Sequence, residues 1–146
     1  MSYRFILNEV SYFGPGARKE LPEVLNRLGG KKVFVVTDKG LLKFGVASEV
    51  KPNPTVTNVK DGLKAFKESK ANVIVAIGGG SAMDTAKGIG IVANNPEFGD
   101  IVSLEGCAPT KHKSVPIVAL PTTAGTAAET TINYVIIDED KQKKMV

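Results

Sequence analysis

Short unbroken apolar runs alternate along this chain with stretches whose apolar residues recur every three or four positions. Lys32–Thr37 (KVFVVT), Val73–Ile77 (VIVAI) and Val115–Leu120 (VPIVAL) belong to the first kind. Their length and β-branched content predict strands buried on both faces. Val59, Leu63 and Phe66 share one helical face, with Thr55 or Thr57 placed to cap its start. Ala17, Leu21, Val24, Leu25 and Leu28 also fall at helical spacing, and Gly29-Gly30 ends that run. Pro22 fits only a first turn, so the regular helix is predicted to begin near Leu21.

The remaining segments carry weaker signals. Arg4–Leu7 and Ser11–Phe13 flank Asn8-Glu9 as an expected N-terminal β-hairpin. Gly40–Phe44 resembles the start of another helix, and Lys51-Pro52-Asn53-Pro54 forbids helix locally. Asn94–Ser114 holds Asn95-Pro96 and Ala108-Pro109 and is expected to be an irregular surface excursion. Ile132–Ile137 reads as a further strand, Asp138-Glu139-Asp140 as its turn, and an apolar run begins again at Met145-Val146. Strands alternating with helices predict an α/β fold, a mostly parallel sheet with helices on both faces. Ligands of such sheets collect at the carboxyl ends of the strands.

Three features fall at those ends. Gly78, Gly79 and Gly80 join the strand at Val73 to an alanine-rich helix, which Ser81 can cap with Asp84 in a variant capping box. A glycine turn opening a helix directs N–H groups at one spot and suits a phosphate; it is equally a tight turn before a capped helix. Asp38 closes the strand at Lys32, where a carboxylate can accept from both ribose hydroxyls and repel a 2′-phosphate; the competing reading is a solvated cap. Thr122, Thr123 and Thr126 offer hydroxyls around Gly125, to a ribose or diphosphate or merely within a polar turn. The acid precedes the glycines by two βα units, so the usual dinucleotide fingerprint is absent. Asn53 is held rigidly between prolines, as a cofactor contact or as a turn, and Lys144 either meets a phosphate or is a tail lysine.

Composition narrows the partners. The 146 residues form a single domain's worth of chain. A net charge of +4 rests on scattered lysines without interleaved aromatics, which argues against nucleic acid. One cysteine, Cys107, and no apolar run of the ~18–20 residues needed to span a bilayer suggest a cytoplasmic protein that makes no membrane contact. His112 is the only histidine, so no metal site is expected in this chain. Neither Cys107 nor His112 has an evident acid or base partner for nucleophilic catalysis.

AIGGGSAMDTAKGIGIVANNP, VPIVALPTTAGTAAETT and KPNPTV closely resemble the N-terminal half of the iron-dependent (group III) alcohol dehydrogenases. FILNEVSYFGPGA, NNPEFGD and SLEG are similar to the family's lactaldehyde reductase (1,2-propanediol oxidoreductase) branch. The resemblance implies a Rossmann-like NAD-binding domain over residues 1–146, followed in the family by an all-helical domain holding Fe²⁺ or Zn²⁺ through one Asp and three His. It implies that Gly79, Gly80 and Ser81 hold the diphosphate, that Asp84 lies near the nicotinamide, and that Asp38 contacts ribose. Asn53, Thr122, Thr123, Thr126, Thr131 and Lys144 match further cofactor residues of the family. Hydride would pass between NAD(H) and a small alcohol or aldehyde whose oxygen the metal polarises. Family members are commonly homodimers.

Two departures accompany the resemblance. The metal-ligand half has no counterpart in this sequence, so the chain alone is expected to be inactive. Between Gly45 and Lys51 about 15–20 residues, a helix and a strand, are missing relative to the family. A stand-alone nucleotide-binding or self-associating module that has lost catalysis is the alternative.

Overall fold

The computed structural model describes residues 9–38, 49–50 and 54–146. Its main sheet contains β1 (Val33–Asp38), β2 (Glu49–Val50), β3 (Val73–Gly78) and β4 (Ile117–Pro121), in the order β2-β1-β3-β4. Every pairing is parallel, with Val33 opposite Val73 and Ile74 opposite Ile117. Helices α1 (Leu21–Arg27), α2 (Val56–Ser69) and α3 (Gly80–Asn94) connect and flank these strands, the arrangement expected from the alternation of apolar runs. Ile136–Asp138 (β5) and Lys143–Met145 (β6) form a separate antiparallel hairpin.

Strand alternation divides the core. Val36, Ile74 and Ala76 point to the side where Val59 and Phe66 of α2 pack with Met83, Ala86 and Ile89 of α3. Phe34 meets Phe66 edge to face, ring centres 5.5 Å apart. Gly62 and Gly88 allow the helices their close approach, since a Cβ on Gly62 would lie 2.5 Å from the Ile89 side chain and one on Gly88 3.2 Å from Val59. On the other face Val73 and Val75 are buried, and Gly30, just beyond α1, lies against Val73. Helix starts follow their local chemistry. Pro22 occupies the first turn of α1, and Thr55 caps α2 with Asn58 as its reciprocal partner.

Several segments differ from the sequence expectation. Ser11–Phe13 joins no sheet, and the other arm of the expected hairpin lies outside the described residues, as does Gly40–Phe44. The strand expected over 132–137 is confined to β5, because the backbone before it is engaged by side chains of α3 instead. Nor is 94–114 wholly a surface excursion. Asn95 is completely buried; its amide donates to the Ile91 and His112 carbonyls while its Oδ1 accepts from the Lys111 and His112 N–H groups. Ile101 and Leu104, the two ends of one short 3₁₀ helix, also enter the core. One buried amide thus supplies the backbone partners that a non-helical segment would otherwise take from water. Among the described residues no helix is long and apolar enough to cross a membrane.

Candidate functional site

The carboxyl ends of β1, β3 and β4 bring most of the singled-out residues together. Gly78 ends β3 opposite Pro121, and the Thr122 N–H donates to the Gly78 carbonyl at 2.9 Å, so the threonine loop leaves the sheet beside the glycine turn. The Asp38 carboxylate lies against the same turn, 3.0 Å from where a Cβ on Gly78 would stand. Gly78 also has φ +148°, a conformation that side chains disfavour. Thr123 and Thr126 stand over the next two glycines. A Cβ on Gly79 would lie 3.0 Å from Thr123 Oγ1, and one on Gly80 2.9 Å from Thr126 Oγ1. Asp38, the glycine turn and the threonine loop therefore share one rim, and the threonine loop leaves little room for a Cβ at Gly79 or Gly80.

The capping expectation for this helix needs correction. α3 begins at Gly80, with extended Gly79 as its N-cap and no side-chain cap, so Ser81 lies inside the first turn. Asp84 makes no capping box; its Oδ2 accepts from the Val135 N–H at 3.2 Å. No side chain caps the opening of α3, and the Ala82 and Met83 N–H groups donate to the Gly79 carbonyl.

One turn along α3, Lys87 completes a cluster that sequence reasoning missed. Its ammonium donates to Thr131 Oγ1 at 3.1 Å and to the Asn133 carbonyl at 2.7 Å, and it lies 3.9 Å from Asp84 Oδ1. Burial raises the Asp84 carboxyl above its ordinary value, against the opposing pull of the Val135 N–H and Lys87. Burial likewise lowers Lys87, against Asp84 and Glu129. Both shifts run toward the neutral forms, so desolvation outweighs mutual attraction in this pair. The i,i+3 spacing of Asp84 and Lys87 on a predicted helix was the available signal. A cavity of about 380 Å³ opens beside the cluster, lined by Met83, Lys87, Ile117, Ala119, Glu129 and Tyr134 among others.

Thr131 is thus tied to α3, whereas Lys144 is an exposed residue of β6, paired with Ile137. That hairpin is anchored at the start of α2, with Ile137 bridged to Thr55 and the Glu139 carboxylate accepting from Thr57. Asn53 lies outside the described residues. Among the described residues, no three His, Cys, Asp or Glu side chains gather as a metal site would require.

Comparison with known proteins extends this picture. Residues 8–146 match the family described as iron-containing alcohol dehydrogenase. Lactaldehyde reductase of Escherichia coli strain K12 is 51% identical over 163 aligned residues, covering all of this chain and 43% of that protein. The alignment is 17 positions longer than this chain's 146 residues. The crystal structure of a 1,3-propanediol oxidoreductase superposes with a TM-score of 0.92 at 38% identity, over 99% of this chain and 42% of that one. Sulfoacetaldehyde reductase from Bifidobacterium kashiwanohense, solved in complex with NAD⁺, gives a TM-score of 0.85 at 28% identity, over 99% and 42%. The chain spans less than half the length of these relatives.

Proposed function

From its membership of the iron-containing alcohol dehydrogenases, to which the chain belongs, we propose that residues 1–146 are the NAD(H)-binding portion of an oxidoreductase acting on a small alcohol or aldehyde. The observation that carries this reading is the convergence of Asp38, the Gly78–Ser81 turn and the threonine loop at the carboxyl ends of three adjacent parallel strands. The NAD⁺ complex of a structural relative supports the choice of ligand.

In this reading the main chain at Gly79, Gly80 and Ser81 receives the diphosphate at the uncapped opening of α3. Asp38 accepts from the ribose hydroxyls and repels a 2′-phosphate, favouring NAD over NADP. Thr122, Thr123 and Thr126 present uncharged donors around the same turn, and Asn53, Thr131 and Lys144 complete the contacts. Asp84 sits beside the nicotinamide end, its charge moderated by burial. Nicotinamide, when bound, supplies the hydride acceptor or donor. The family's iron finds no ligand set among the described residues. The role assigned to this chain is binding and orientation of the cofactor.

Calorimetric titration with NAD and with adenosine diphosphate ribose tests the proposal. Heat of binding is expected for both, with Asp38→Ala relaxing the preference for NAD over NADP. No heat and no melting shift at millimolar ligand would overturn it.

A further inference from the structure

Two residues of α3, one turn apart, hold the segment 131–135 by its backbone. Asp84 Oδ2 accepts from the Val135 N–H, while Lys87 Nζ donates to the Asn133 carbonyl and to Thr131 Oγ1. The segment has no strand of its own at this point, since β5 begins only at Ile136. Its placement relative to the glycine turn is therefore set by the helix that the turn opens. The Lys87 side chain is only 16% exposed, so its bonds are largely shielded from competing water.

We propose that Lys87 is a positioning residue of the nucleotide site, its ammonium fixing Thr131 and the Asn133 backbone against α3 at the height of Asp84. The proposal rests on the NAD-binding reading, because Thr131 and Asp84 are cofactor residues only within it. Two features separate this from ordinary packing. A packing role asks only for a long aliphatic stem, which methionine supplies. Donation to a hydroxyl and a carbonyl at once asks for a cation with several N–H groups, which arginine also supplies. Charge matters a second time, because Lys87 is the cation paired with half-buried Asp84; removing it leaves only the Val135 N–H to oppose that carboxylate's desolvation.

The groups facing Lys87 are Asp84 on its own helix, and Glu129 and Tyr134 from the segment packed against it. Burial raises both the Asp84 carboxyl and the Tyr134 phenol above their ordinary values. Lys87 is lowered from its ordinary value. Between neutrality and the ordinary lysine range it is then the member of this set that changes charge.

The test compares wild type, Lys87→Met and Lys87→Arg by NAD calorimetry from neutral to alkaline pH and by amide hydrogen exchange over residues 131–135. Lys87→Met is expected to weaken NAD by about tenfold or more, as loss of charge-assisted bonds implies, and to speed exchange at Val135. Lys87→Arg should restore most of both. Wild-type affinity should decline with rising pH before the ordinary lysine range is reached, whereas the arginine variant should stay level there. Wild-type affinity and exchange in Lys87→Met would overturn the inference, as would the same alkaline decline in wild type and Lys87→Arg. If wild type binds no NAD, the cofactor reading fails by itself. Exchange then still decides whether Lys87 holds the segment, and unchanged exchange overturns that as well.

Discussion

Gly80 serves two demands that a pair of substitutions can separate. A Cβ at this position would lie 2.9 Å from Thr126 Oγ1 and 3.1 Å from its Cγ2, but 3.4 Å from its Cβ, which is ordinary contact. Gly80→Ala therefore overpacks against the hydroxyl and methyl alone. Overpacking costs ~1–3 kcal/mol, and replacing a helical glycine returns ~0.5–1 kcal/mol. The net destabilisation should be ~1–2 kcal/mol, lowering Tm by roughly 2–8 °C in a chain of this size. Thr126→Ala removes both offending atoms and forfeits only the bond from the Ala128 N–H to Thr126 Oγ1. In the double variant the stability penalty of Gly80→Ala should then vanish relative to Thr126→Ala alone. Cofactor affinity should behave differently. If a diphosphate approaches the Gly80 main chain, the added methyl should weaken NAD at least about tenfold, whether or not Thr126 is present. Chemical denaturation and calorimetry of the four proteins complete the cycle. Recovery of affinity together with stability would show that the glycine serves only the threonine above it, and the phosphate cradle would be refuted.

Other expectations follow from single contacts. Asn95→Ala removes the bonds of one fully buried amide to four part-buried backbone groups and should cost ~2–4 kcal/mol in urea denaturation; a loss below ~1 kcal/mol would mean that those groups find water. Thr55→Ala removes the cap of α2 and should cost ~1 kcal/mol, read as a lower Tm and as faster exchange over the first turn. The Asp138 carboxylate accepts from the Lys141 and Asp140 N–H groups, and the Lys141 bond above all lowers its pKa. Its folded value lies below its unfolded one, so its stabilisation is present above the ordinary carboxylate range and is lost as pH falls through the lowered value. Asp138→Asn should accordingly flatten the acid limb of stability against pH, and an unchanged limb would contradict this assignment.

Most of the main sheet was legible because β1, β3 and β4 are continuous apolar runs, a pattern that a strand buried on both faces shows without reference to its neighbours. Their carboxyl ends therefore predicted that Asp38, the glycines and the threonines would meet. Contacts between distant segments were not legible. Nothing in TINYVI reveals that Asn133 and Val135 give their backbone groups to α3, so periodicity there suggested a longer strand. Asn95 looked like a loop residue because asparagine before proline is common in turns; its burial depends on Lys111 and His112 folding back over it. Ser81 and Asp84 had the spacing of a capping box, and only the start of α3 at Gly80, with Gly79 as its cap, places them two residues too far in.

The parallel order of the sheet has a further consequence for how the chain acquires it. Val33 pairs with Val73 and Ile74 with Ile117, so every rung of the β1–β3 and β3–β4 pairings joins residues some forty positions apart. No two neighbouring strands can zip from a tight turn, and the entropy of closing each long crossover is spent before any rung forms. Folding should thus wait on α2 and α3, whose local contacts shorten those crossovers. During synthesis β1 remains an apolar ribbon without β3 until the ribosome has added some forty more residues. Slowing that interval exposes KVFVVT to other chains, and hastening α2 protects it.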